Sequence, residues 1–220
     1  MTRKTRKTHK MRKVLLAVCC AALLVCVTIG ATVAYLTSQD TVTNTFTVGK
    51  VQITLDEAKA NADGSLVPNA ERVKANSYKL LPGHTYTKDP TVHVAAGSED
   101  CWLFVKVDNG ISAIEDNTTV AAQMATNGWT KLNNNSNIYY YNEKVVSSTT
   151  VTDVPVFGSF KISDAVVGGM KPVTTDGVGD DGKLYLDEYK NAQIVITAYA
   201  IQADGFATAA DAWEAAKLNE

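Results

Sequence analysis

Past residue 34 the chain holds one cysteine, Cys101, so no intrachain disulfide can form there. Cys19, Cys20 and Cys26 all lie in an apolar run near the N-terminus. Cys19 and Cys26 each follow a Val where a lipid-modified cysteine needs a small residue, which argues against a lipoprotein. Histidine is equally sparse: His9, His84 and His93 are the full set, and none stands in a His-Glu-x-x-His pattern. A zinc protease of that type is therefore not expected. His84 and His93, with Asp89 between them, read as two polar positions in preference to a shared metal site. A Gly-x-Ser-x-Gly elbow is lacking, and Cys101 alternates with Leu103, Val105 and Val107 as a small core residue would. No Leu-Pro-x-Thr-Gly sorting signal occurs, which argues against a covalently linked pilin-like subunit. These absences predict a protein that is not an enzyme and needs no cofactor.

Acidic residues are missing from the first 34 positions, where Arg3, Lys4, Arg6, Lys7, Lys10, Arg12 and Lys13 precede an uncharged run over residues 14–34. Basic, then apolar, then small residues is the order of a secretory leader. The run of 21 residues is also long enough to span a bilayer, so the leader is a signal or transmembrane helix. Gly30-Ala31-Thr32-Val33-Ala34 predicts cleavage between Ala34 and Tyr35, giving a leader over residues 1–34 and one domain over residues 35–220. Cleavage takes the Lys and Arg count from 21 to 14 against an unchanged 23 Asp and Glu, a net charge of −9. So acidic a chain is not expected to bind nucleic acid, and it meets a membrane only through the leader.

Alternation of period two dominates the chain beyond the leader. In residues 42–55 the apolar set starts on Val42, Phe46 and Val48 and then moves to Val51, Ile53 and Leu55. The phase slips at Gly49-Lys50, which predicts a β-bulge or a bend at Gly49. Residues 101–108 alternate cleanly, with Trp102 and Phe104 giving the second face an apolar part. Residues 193–201 are apolar on both faces and predict a central, doubly covered strand. Shorter strands are expected over residues 78–81, 91–94, 129–132, 138–141 and 156–162. Turns are expected at Pro82-Gly83, Asn109-Gly110, Gly168-Gly169, Asp176-Gly177 and Asp181-Gly182.

Two helices interrupt the pattern. One is expected over residues 114–126 and ends at Asn127-Gly128. The other spans residues 209–217, with Thr208 as N-cap and an apolar stripe of Ala209, Ala212, Trp213 and Ala216. The sum is mainly β, a jelly-roll-like β-sandwich with one or two short helices. Asp176, Asp180 and Asp181 form the one acidic loop worth a calcium test. Aligning Gly182 with the glycine of an EF-hand loop leaves Gly177 and Gly179 at the first two ligand positions, so that match fails and a solvated turn is favoured.

The junction Ala34-Tyr35-Leu36-Thr37-Ser38, followed by Asn44-Thr45-Phe46-Thr47-Val48-Gly49-Lys50-Val51, resembles that of proteins released by a SipW-type signal peptidase. Leu81-Pro82-Gly83-His84-Thr85-Tyr86-Thr87-Lys88-Asp89-Pro90 and the stretch ITAYAIQADGF from Ile196 to Phe206 extend the similarity to the TasA/camelysin family of biofilm matrix proteins. The matching blocks sit toward both ends, and roughly residues 110–190 resemble nothing in that family. The resemblance implies a secreted protein of the Gram-positive cell surface or biofilm matrix that associates with itself or with related matrix subunits. It implies extracellular fibres built by donor-strand exchange, with residues 35–48 completing a neighbour's sheet through Val42, Phe46 and Val48. The same strand pairing within its own subunit is the open alternative. The protease name carried by camelysin makes a secreted metalloprotease the other implied reading, against which the missing His-Glu-x-x-His stands.

Overall fold

The computed structural model describes residues 11–20, 49–134, 136–169 and 183–217. The chain divides into two units, Met1–Thr47 and Val48–Glu220. In the first, residues 11–20 are helical (α1) and exposed. No helix of the described residues is long and apolar enough to cross a membrane.

The second unit is mainly β, and among the described residues its strand pairs are antiparallel. Its strands are β1 (Ile53–Asp56), β2 (Thr85–Thr87), β3 (Thr91–Val94), β4 (Cys101–Asn109), β5 (Trp129–Lys131), β6 (Ile138–Tyr141), β7 (Thr152–Pro155), β8 (Ser159–Lys161) and β9 (Ile194–Gln202). They form sheets of order β1-β3-β7, β2-β8 and β5-β6-β4-β9. Among the described residues two α-helices join them, α2 (Val120–Thr126) and α3 (Ala209–Ala216).

Strand β4 organises the interior because its two faces feed two cores. Cys101, Leu103, Val105 and Val107 enter a large cluster with Val92 and Val94 of β3, Val154 of β7, Trp129 of β5 and Met124 of α2. The three- and four-stranded sheets thus turn side chains into one shared core. Val51, Ile53 and Leu55 pack against it in the odd phase that the sequence predicts. On the other face of β4, Phe104 is fully buried in a smaller cluster with Ala209, Ala212 and Trp213 of α3. The Trp213 ring lies 4.9 Å from Phe104 and 5.5 Å, edge-on, from Tyr199 of β9. The apolar stripe of α3 and its cap follow the sequence reading. The Thr208 side chain accepts from Asp211 N–H while the Asp211 carboxylate accepts from Thr208 N–H, a capping box.

Four expectations need correction. The strand from residue 193 is not central: among the described residues β9 is the outer strand of its sheet, and β4 holds the middle. Its two apolar faces reflect the two cores above and below it, not strands on either side. Residues 78–81 form no strand, because the Tyr86 hydroxyl donates to Lys79 O and accepts from Leu81 N–H, both at 2.7 Å, in a partner strand's place. The helix expected from residue 114 becomes a 3-10 turn, Ser112–Ile114, a β-bridge from Glu115 to Ile162, and then α2 capped by Thr119. The stretch 156–162 contributes only β8, whereas Thr152–Pro155 is a strand that alternation does not announce.

Candidate functional site

A sheet edge can only act as a joint if its backbone groups are free and its side chains do not repel a partner. At the ends of the β4–β9 ladder, Ala203 N–H donates to Asp100 O and Gly110 N–H to Gln193 O. Antiparallel alternation then turns the backbone of odd residues 195–201 toward β4. The N–H and C=O groups of Ile194, Ile196, Ala198, Ala200 and Gln202 face the other way, where no strand pairs with them among the described residues. The strand reads IVITAYAIQ, nine residues without a charge or a proline. Natural edges are usually blunted by charges, prolines or brevity, and β9 has none of these devices. Six of its side chains are partly buried even so: Ile194, Ile196, Ala198 and Ala200 pack on the large core, and Tyr199 and Ile201 on the small one.

The outer face of the three-stranded sheet is built in the opposite manner. His93 of β3 bonds Asp153 of β7 through Nδ1 at 2.7 Å and Asp56 of β1 through Nε2 at 2.9 Å. Arg72 holds Asp56 on one side and Asp89 on the other, the latter at 3.1 Å. Burial alone would lower the His93 pKa, but the two carboxylates outweigh it and raise it above the ordinary value. Burial likewise works against ionised Asp56, and hydrogen bonds from Arg72 and His93 override it and hold that carboxyl below its usual range. A shallow groove of about 480 Å³ lies beside this cluster, over residues 51–54, His93, Ala95 and Val151.

His93 and Asp89 belong to one network, linked through Asp56 and Arg72, but each is already engaged, and Asp89 also accepts from Ala58 N–H at 2.6 Å. His84 instead stands 6.3 Å from the Tyr86 ring. No group of three or more potential metal ligands occurs among the described residues. Cys101 is fully buried and its thiol is pushed up to about 11 by burial and by Asp100, the state of a core residue and not of a nucleophile. Gly49 begins the described part of its unit, packed closely against the Glu99 side chain, with Lys50 O accepting Glu99 N–H at 3.1 Å. Ala34, Tyr35, Val42, Phe46 and Val48, and the loop residues Asp176, Asp180 and Asp181, lie outside the described residues.

A buried polar triad has no signature in the sequence. Glu57 follows β1 and is 3% exposed; its Oε2 meets Lys88 Nζ at 2.5 Å, and its Oε1 accepts from Asn76 Nδ2 at 2.9 Å. These three positions are spread over 31 residues with no motif spacing, so only the fold brings them together. The Tyr78 ring beside them has its hydroxyl pKa raised, first by burial and then by the negative charge of Glu57. No protein-family model, curated protein or solved structure matches this chain.

Proposed function

We propose that the chain is a secreted, non-enzymatic structural protein of the cell surface or biofilm matrix, a jelly-roll-like β-sandwich whose subunits join by strand addition. The single observation that carries this reading is the β9 edge, long, uncharged, free of proline and unpaired on its outer side among the described residues. A strand laid along it would gain main-chain hydrogen bonds from five outward-facing residues and apolar contacts on both faces. In this reading a SipW-type signal peptidase cuts between Ala34 and Tyr35, and the freed residues 35–48 supply the strand for a like or related subunit. Val42, Phe46 and Val48 are its apolar teeth, and Gly49 lets the chain bend away after them. Cleavage would then govern assembly as well as export.

Electron microscopy of purified residues 35–220 beside residues 49–220 tests this. The longer chain is expected to form fibres, and the shorter to stay a soluble, less stable monomer. Equal fibre yield from both would overturn the role given to residues 35–48.

A further inference from the structure

The triad of Glu57, Asn76 and Lys88 places an amine, an amide and a carboxyl group in one water-poor pocket. Lys88 is 9% exposed and Glu57 3%, values uncommon for charged side chains. The Asn76 amide is fixed in orientation: its Oδ1 accepts from Ala60 N–H at 2.9 Å, and its Nδ2 donates to Ala58 O at 2.8 Å as well as to Glu57. Tyr78 closes the pocket, its hydroxyl donating to Thr87 O at 2.7 Å just before Lys88. Tyr78, Tyr86 and Phe160 pack as an aromatic cluster with centroids 4.9 to 5.6 Å apart.

An ion pair alone needs only Lys88 and Glu57. What the arrangement adds is that the two oxygens of one carboxylate touch different groups, Oε2 the amine nitrogen and Oε1 the amide nitrogen. The one carboxylate thus bridges the amine, at 2.5 Å, and the amide nitrogen, at 2.9 Å. The Ala60 N–H is already aimed at the oxygen on which negative charge develops when the amide carbon is attacked.

We propose that Lys88 and Asn76 become joined by an intrachain isopeptide bond, with Glu57 as the proton carrier. Transfer of a proton from Nζ to Oε2 turns the ion pair into an amine and a carboxylic acid. The Nζ lone pair then attacks Asn76 Cγ, forming the C–N bond and placing charge on Oδ1. Glu57 delivers its proton through Oε1 to Nδ2 and takes a second one from Nζ. The Cγ–Nδ2 bond breaks and ammonia leaves, taking the last proton from Glu57 as ammonium. Nothing is oxidised or reduced, and no co-reactant is needed. The bond would tie the end of β2 to the segment that follows the Glu57–Val73 bridge, giving the chain a covalent brace.

Intact-mass spectrometry of the denatured full chain tests this, followed by tryptic mapping. The expected mass is lower than that of the sequence by one ammonia, with residues 75–79 and 80–106 recovered as one branched species because the chain remains uncut after Lys88. The Glu57→Gln variant, checked for folding by circular dichroism, is expected to keep its full mass. A full-mass wild-type chain yielding free peptides 75–79 and 80–88 overturns the proposal. So does an ammonia loss that maps elsewhere, for instance to Asn109-Gly110 or Asn127-Gly128. Should Glu57→Gln fail to fold, the wild-type map still decides.

Discussion

Strands β7 and β9 are both outer strands, and the chain treats them in opposite ways. The edge strand β7 is four residues long and carries Asp153 and Pro155. Side chains answer one of its carbonyls and one just beyond: Trp129 Nε1 donates to Pro155 O at 2.9 Å, and Asn127 Nδ2 to Val156 O at 3.2 Å. The outer strand β9 is more than twice as long, and no strand among the described residues answers its outward groups. A capped edge beside one without a strand partner among the described residues teaches that the two edges are finished by different means. The closed edge is secured by charge and capping. The other is secured from its faces, by packing, and no strand among the described residues lines its rim.

If packing holds β9 in place, removing it should cost the most. Phe104 of β4 is fully buried, with its ring against Trp213 of α3. Phe104→Ala is expected to lower stability by about 3–5 kcal/mol, the range for truncating a buried aromatic. A urea melt checks it. A loss below about 1 kcal/mol would mean that the β9 sheet draws its rigidity from elsewhere.

On the β7 side the stake is smaller and depends on pH. Because the folded-state pKa of His93 is raised, its contribution is full below the unfolded value of 6.5 and fades as pH rises through the folded value. Asp56 acts in the other direction: its pKa is lowered from 3.8, so its contribution is lost only as pH falls below that figure. Stability is thus expected to hold between these limits and to decline as pH rises beyond 6.5. Asp153 is 63% exposed, so solvent screening keeps the His93 effect within about 1 kcal/mol. Thermal melts from pH 5 to pH 9 should show this decline in the wild type, and His93→Gln should flatten it. An equally steep decline in His93→Gln would place the titration on another group.

How much of the molecule is legible in the sequence varies with the range of the interactions. Strand β4 and helix α3 can be read because alternation and i, i+3, i+4 spacing are local, and Phe104, Trp102 and Trp213 announce the second core directly. The order of strands within a sheet is not local. Residues 193–201 look the same whether covered by sheets, by helices or by neighbouring strands, so nothing in them marks β9 as an outer strand. Pro155 hides β7, since a proline demotes a run that would otherwise read as strand. The tyrosine hydroxyl that replaces a strand partner near residues 79–81 leaves no trace in a period-two pattern. Nor does the triad of Glu57, Asn76 and Lys88, whose members belong to three separate segments.

The central claim is that the outer rim of β9 is the joint between subunits, and Ala198→Pro addresses it most directly. Ala198 turns its N–H outward, so proline there removes one outward donor and leaves the hydrogen bonds to β4 in place. Electron microscopy of residues 35–220 should then show fibres for the wild type and none for Ala198→Pro, with circular dichroism unchanged. Fibres of equal yield and length from a folded Ala198→Pro protein would contradict the account.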